Sequence, residues 1–481
     1  MKRKFAINLI LLLALNLLIK PFWIFGIDRT VQNMVGAGEY GLFYSLFNFS
    51  LLLNILLDFG ITNFNNREIS RHSQLLSKYL SNIVFVKILL AIAYSILCLG
   101  AALLMGYSGR QLYLLAFLVF NQFLSSFILY LRSNLSGLQF FKTDSVISVL
   151  DRFLMIIFCS LLLWGNIIDR QFTIDWFIYA QTLSYIITCV FSFLIVISKS
   201  EFFKVRMDRA FIISILKQSY PYALLTLLMT TYSRIDSVLL ERLLVQGNIE
   251  SGIYAQAFRI VDAANMFPFL FAGLLLPMFS KMIKNQESVQ PLVGFAFSLL
   301  FVPCFTFSVA SIVYRSDIMQ LLYHQHTGQS SILLGILMGS FLLISINYIF
   351  GTLLTAYGSI KQLNYISALG VIISLTLNFA LIPSLKSTGA AIANLSCQLI
   401  VAILQVALGL KIFKFRIDYK KNGSYLIFII LTPFLILFIR SLFSKWILGF
   451  LTAIVVSLIL SLTLRIIRAK DFLQLFDKGV A

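Results

Sequence analysis

The sequence predicts an all-α integral membrane protein of about fourteen transmembrane helices, built as two parallel-repeat six-helix bundles plus two C-terminal helices. Three observations carry this prediction. The chain is 59% hydrophobic and only 12% charged, about half the charged share of a soluble domain. Apolar runs of roughly 20 residues recur along its whole length, each long enough to cross a bilayer core of about 30 Å. A short loop is also written twice, 211 residues apart: "GAGEYGLF" at 36–43 and "GNIESGIY" at 247–254. Both copies read Gly-x-x-Glu-x-Gly, then an aliphatic and an aromatic residue.

The apolar spans fall at about 5–27, 41–63, 82–106, 111–131, 145–165, 173–197, 214–240, 252–278, 291–314, 331–356, 362–384, 388–410, 424–440 and 446–464. Lipid offers no hydrogen bonds to the backbone, so spans of this length are helices. The opening "MKRKFAINLILLLALNLLIK" has the basic head and apolar stretch of a secretory signal. No small-x-small cleavage site follows, and it is read as an uncleaved first span. The five cysteines lie singly within spans, without a CxxC pair, and are read as buried free thiols.

The net charge of +19 invites a nucleic-acid reading, which the distribution of charge rejects. With the N-terminus placed in the cytoplasm, 25 of the 38 basic residues fall in inner segments, 8 in outer segments and five inside spans. All the loops are short, the regime in which the positive-inside rule holds. The basic balance is therefore topological and predicts a cytoplasmic-membrane protein with both termini in the cytoplasm.

The repeated loops join spans one and two, and spans seven and eight. A second pair agrees: "SGLQFFK" precedes span five and "YGSIK" precedes span eleven, with Gly41 to Lys142 spanning 101 residues and Gly252 to Lys361 spanning 109. Six is an even number, so both halves start on the same side and are related by an axis along the membrane normal. The expected organisation is a first bundle over 1–212, its repeat over 213–423, and two additional helices with a tail over 424–481. The loop glycines suit tight hairpins.

The stretches "GAGEYGLFYSLFNFSLLLNILLDFGITNFNNREIS" (36–70), "SYPYALLTLLMTTYSRIDSVLL" (219–240) and "LNFALIPSLKSTGAAIANLSCQ" (377–398) fit this 6+6+2 plan. Together they resemble the Wzx-type polysaccharide flippases of the multidrug/oligosaccharidyl-lipid/polysaccharide exporter superfamily, and the resemblance covers nearly the whole chain. It implies no enzymatic activity and no cofactor. The implied cargo is a polyprenyl-pyrophosphate-linked oligosaccharide, moved from the inner to the outer leaflet by alternating access for O-antigen-like or capsule-like surface polysaccharide. The glycan assembly and polymerisation machinery are the implied partners. The family's functional cations occupy no motif position that transfers residue by residue to this chain.

Candidate residues therefore rest on the cost of ionisable groups in lipid, which makes them rare and usually directs them to a cavity or a partner. The basic ones are Lys20, Lys87, Arg152, Arg234 and Arg259; the acidic ones are Asp58, Asp151, Asp236 and Asp262. A pyrophosphate needs cations in place of its water, and guanidinium groups match phosphate bidentately. Lys20, Arg152, Arg234 and Arg259 are the candidates for that role. Lys20 precedes Pro21, where a kinked first helix is a plausible moving part.

Arg259 and Asp262 share a helix face at i, i+3 and either neutralise each other or serve the cavity. Asp236 sits near the outer interface, where it is either solvated or a proton or sodium site. Asp58 lies close to Arg67 and Arg71 and reads most simply as an interfacial charge. Asn54, Gln122, Asn265, Asn347 and Gln398, with Asn378, either line a sugar path or bond helix to helix. The two histidines of "HQH" (324–326) lack further ligands, and no metal site is predicted.

Two other classes compete. A cation-coupled multidrug or toxin antiporter of the same superfamily would need a cavity dominated by carboxylates. A membrane glycan polymerase or glycosyltransferase would need a catalytic constellation in a large outer loop, and the stretches around 28–39 and 315–330 offer none.

Overall fold

The computed structural model describes residues 15, 16, 18–72, 74, 76–165, 172–200, 209–415 and 419–467. The basic head at 2–4, most of the first span, the middle of the basic loop at 198–212 and the tail beyond 467 lie outside the described residues. The described chain is helical, without strands. A π-helical turn over Trp23–Asp28 leads into α1 (Arg29–Leu52), and a 3₁₀ turn (Asn54–Leu57) separates it from α2 (Ile61–Arg71). Then follow α3 (Leu76–Leu104), α4 (Arg110–Gly137), α5 (Phe141–Trp164), α6 (Ile174–Ile197), α7 (Arg209–Leu243) and α8 (Gly247–Lys284). The remainder is α9 (Gln290–Val313), α10 (Arg315–Leu322), α11 (Thr327–Tyr357), α12 (Ile360–Phe413), α13 (Tyr419–Leu442) and α14 (Trp446–Thr463).

Eleven of these helices are long and apolar enough to cross a membrane. Part of the difference from fourteen spans is structural, and part is the extent of the described residues. Helix α12 runs for 54 residues but bends at Lys386 (φ 53°, ψ −133°), just after Pro383, so spans eleven and twelve are one element with a sharp corner. The first span lies largely outside the described residues. Its end joins the second through α1, where Gly36 (φ 80°, ψ 168°) turns the chain within a single residue. Only glycine enters that conformation without penalty.

The chain packs as two compact units, Met1–Ala255 and Gln256–Ala481. In the first, α2 to α6 enclose a core that includes Ile69, Ile83, Leu131, Ile147 and Tyr185, while α7 lies along α1. In the second, α8, α9 and α11 share one apolar cluster around Phe279, Leu300 and Leu353. Helices α13 and α14 are held on α9 by Phe301, Phe305 and Phe428, and by Tyr314, Ile436 and Ala453.

The duplicated loop acquires its explanation inside the first unit. Gly41 lies against the backbone carbonyl of Asn248, and Gly252 lies against the carbonyl of Ala37. In the repeat Gly41 corresponds to Gly252 and Ala37 to Asn248, so the two contacts are reciprocal. The copies cross each other backbone to backbone, and a Cβ at either glycine would overlap the opposite carbonyl. Gln32 Nε2 donates to Gly252 O at 2.9 Å and Asn48 Nδ2 to Ser237 Oγ at 2.9 Å, extending the seam.

Beside it, the Arg242 guanidinium lies 3.3 Å from the centre of the Tyr107 ring. Glu241 accepts from Tyr107 Oη and from Gln111 Nε2, both at 3.1 Å. Burial, reinforced by the Glu241 carboxylate, pushes the Tyr107 phenol up to about 12. The hydroxyl therefore stays protonated and donates.

The crossing predicts that Gly41→Val and Gly252→Val each destabilise the protein by about 1–3 kcal/mol through overpacking. Gly273→Ala, where an added Cβ meets nothing within 4 Å, does not destabilise the protein and adds up to about 1 kcal/mol through helix propensity. Thermal melting of the purified protein in detergent distinguishes them.

Candidate functional site

Two sequence-predicted cations converge in the first unit. Lys20 lies just before the π-helical turn, and Arg152, Asp151 and Arg132 act on its ammonium electrostatically. Arg152 stands near the middle of α5, about 16 Å along the helix from its start at the usual rise per residue. Its guanidinium lies 5.8 Å from the Trp23 ring and 5.7 Å from the Tyr185 ring, with Asp151 Oδ2 3.7 Å from its Nε. Both rings are buried, and Trp23 is itself stacked on Phe177 at 5.7 Å. Asn16 Nδ2 donates to Ser148 Oγ at 3.1 Å, tying the first span to α5 one turn from the arginine. Arg132 is engaged by Asp144 at 2.7 Å.

Lys20, Asp151 and Arg152 thus set two cations near one carboxylate, with the Arg152 guanidinium against aromatic faces. Cation–π contacts within about 6 Å hold the guanidinium without neutralising it. The residual positive charge suits an anion. Sequence reasoning found the two cations but missed Trp23 and Tyr185, because nothing in their spacing shows that the first span and α6 meet at Arg152.

The other candidates sit elsewhere. Arg234 is half-buried on α7, two residues from Asp236. The solvated reading of Asp236 is overturned: it is 1% exposed and accepts from Tyr254 Oη at 2.9 Å. Asp28 likewise accepts from Tyr40 Oη at 2.7 Å, so each half of the repeat buries an aspartate under a tyrosine hydroxyl. In the second unit Arg259 and Asp262 form the expected i, i+3 pair at 3.7 Å. Asn265 follows one turn later on the same face of α8, with its side-chain oxygen buried and no hydrogen bond to it. The remaining amides pair across helices: Asn54 donates to Gln122 at 2.5 Å and Asn347 to Gln398 at 3.1 Å. Asn378 bonds within its own helix to Ser374 O at 2.8 Å.

One site went unread in the sequence. The second span breaks between α1 and α2, where Phe59 and Gly60 take φ of 44° and 79°. The break frees backbone carbonyls at membrane depth. Lys87, only 1% exposed, reaches in from α3 and donates to Leu57 O at 2.8 Å, Asp58 Oδ1 at 2.6 Å and Ser126 Oγ at 3.2 Å. Asp58 is therefore the counter-ion of a buried lysine, not an interfacial charge beside Arg67 and Arg71. Its carboxylate also accepts from the Thr62 backbone amide at 3.2 Å and from the Thr62 hydroxyl, capping the restarted helix. The signal was present as "DFGIT", an Asp, a Gly and a Thr inside an otherwise apolar run. Among the described residues, no group of three or more His, Cys, Asp or Glu side chains could hold a metal ion.

The structure thus sets a cationic cluster among helices long and apolar enough to cross a membrane. Residues 8–283, more than half of the chain, match the family model described as polysaccharide biosynthesis protein, and the chain belongs to that family. No curated protein is detectably similar in sequence. Among solved structures it is similar to the lipid II flippase MurJ in an inward closed conformation, at 16% identity and a TM-score of 0.68, covering 93% of this chain and 98% of that one. It is also similar to an inward-facing multidrug resistance MATE family transporter, at 15% identity and a TM-score of 0.66, over 84% of this chain and 98% of that one. A third likeness is to a superfamily transporter from Pyrococcus furiosus, at 14% identity and a TM-score of 0.60, over 85% and 95% of the two chains. At these identities the likeness shows the fold.

Lys87→Ala leaves Asp58 and Leu57 O without their buried cation and is expected to cost about 3–5 kcal/mol. The paired change Lys87→Met with Asp58→Asn recovers part of that loss. Thermal melting of the three proteins checks both statements.

Proposed function

We propose that this protein flips a polyprenyl-pyrophosphate-linked oligosaccharide from the inner to the outer leaflet of the cytoplasmic membrane, for surface polysaccharide of the O-antigen or capsule kind. The observation that carries this reading is Arg152, its guanidinium against the Trp23 and Tyr185 rings, with Lys20 within electrostatic reach. A pyrophosphate crossing lipid must exchange its water for fixed cations, and Arg gives it a planar two-toothed partner. The family match to polysaccharide biosynthesis and the likeness to a lipid II flippase support a lipid-linked cargo. The inner face is assigned from the basic loops, with both termini cytoplasmic. In this scheme the two halves of the repeat, 1–212 and 213–423, alternate, with 424–481 attached to the second; the compact units divide later, after Ala255, because α7 packs along α1. Arg234, Arg259 and Asn265 are further cargo contacts in this scheme. The protein makes no covalent bond and hands its product to the polymerisation machinery.

A cation-coupled antiporter has one observation in its favour, the carboxylate of Asp236 buried beneath Tyr254. In that reading the carboxylate exchanges protons or sodium for a cationic substrate.

The test is deletion of the gene in its host, with lipid-linked oligosaccharide measured on each leaflet of inverted and right-side-out vesicles. Complete oligosaccharide accumulating on the cytoplasmic leaflet, and clearing on re-expression, is the expected result. An unchanged leaflet distribution overturns it and directs attention to cation efflux. Unpolymerised repeat units gathering on the outer leaflet would instead point to a polymerase.

With the flipping assay in place, Arg152→Ala and Lys20→Ala each lower the rate about tenfold to a hundredfold, the worth of one charged hydrogen bond. Arg152→Lys recovers only part, since a point charge replaces the fork. Protein level in the membrane is measured alongside.

A further inference from the structure

The second unit contains a cavity of about 870 Å³ that the cargo site does not use. It opens between the start of α9, the end of α12 and the start of α13. Phe297, Phe301, Phe350, Ile346 and Val406 form its walls, and its polar groups include Gln290, Lys421 and Asn422. The volume lies within the range of about 300–1,000 Å³ typical of ligand sites. Water has few partners along such walls, since a stable buried water needs two to four polar groups. Hydrocarbon fits them. The side formed by α13 faces lipid, with Leu426 63% and Ile429 41% exposed.

The cation is built in. Lys421 Nζ sits 3.3 Å from Gly294 O, a carbonyl that also accepts from Ser298 Oγ at 2.8 Å. Ser298 in turn pairs with Tyr425 Oη at 2.7 Å, and Tyr425 packs edge-on against Phe297 and Phe301. Lys411 and Lys414, both exposed, flank the lining residues Leu410 and Phe415 at the end of α12. Among the described residues, Glu287, next to the lining residue Ser288, is bonded by Asn285 Nδ2 at 2.9 Å. An apolar slot rimmed by lysines matches a molecule with a long chain and an anionic head.

We infer that this cavity binds an anionic phospholipid, with an acyl chain between α9, α11, α12 and α13 and the phosphate on Lys421. Basic pockets between transmembrane helices recognise such head groups by charge at a depth where hydrocarbon and water meet. The proposed orientation sets only the leaflet, the inner one. The lipid would be resident, fastening α13 and α14 to the second unit at their most open edge, and it is separate from the transported cargo.

The test is native mass spectrometry of the full chain, purified in detergent and titrated with phosphatidylglycerol or phosphatidylethanolamine. Phosphatidylglycerol is expected to be retained preferentially. Lys421→Gln lowers that retention about fivefold, the worth of one lysine near a charged surface, and leaves phosphatidylethanolamine unaffected. Val406→Trp fills the slot and abolishes retention of both; Gly294→Leu does the same from α9 if the tryptophan variant fails to fold. Equal retention of the two lipids with no effect of Lys421→Gln overturns the proposal. So does displacement of phosphatidylglycerol by equimolar polyprenyl phosphate, which would make the slot part of the cargo path. The measurement reads binding and not transport, so its failure and failure of the flippase reading are told apart.

Discussion

A bilayer gives the backbone no hydrogen bonds, and this constraint governs the rest of the structure. It forces every span into a helix and makes each interruption expensive. Between α1 and α2 the chain breaks the rule, and the break survives because Lys87 brings donors to it. The carbonyl of Leu57 and the carboxylate of Asp58 share that one ammonium, while Thr62 closes the restarted helix against the same carboxylate. A buried cation is normally a burden in lipid. Here it replaces the backbone bonds that two φ-positive residues gave up.

Close approach is the second organising device. Transmembrane helices gain little from the hydrophobic effect against one another, so they associate by backbone proximity at small residues and by side-chain hydrogen bonds. The crossing of Gly41 and Gly252 uses the first means, and the bonds from Gln32 and Asn48 use the second. Because both loops descend from one repeated pattern, each supplies the glycine and each supplies the carbonyl that meets it. The repetition is thus a self-complementary joint as well as a trace of duplication.

Against this frame of satisfied groups, the Lys20–Arg152 cluster differs in kind. Lys87 meets a carboxylate at 2.6 Å, whereas Arg152 lies 3.7 Å from Asp151 and rests on aromatic faces. Ring faces orient a guanidinium without cancelling its charge. The proposed cargo reading rests on that looser pairing of Arg152 with its carboxylate.

The sequence by itself determined the helical membrane class, the recurrence of its spans and the duplicated hairpin, because these follow from the apolar period and from loops short enough to keep the register. It also marked Lys20, Arg152 and the Arg259–Asp262 pair, since charge inside an apolar run is visible without coordinates. Only the tertiary structure decided that Asp58 belongs to Lys87, that Asp236 is buried under Tyr254, and that Trp23 and Tyr185 flank Arg152. Those pairings join residues on different helices, and hydropathy reports how deep a residue lies, not which way its helix is turned. Rotation about the helix axis is set by neighbours, and the neighbours are fixed only when the chain packs.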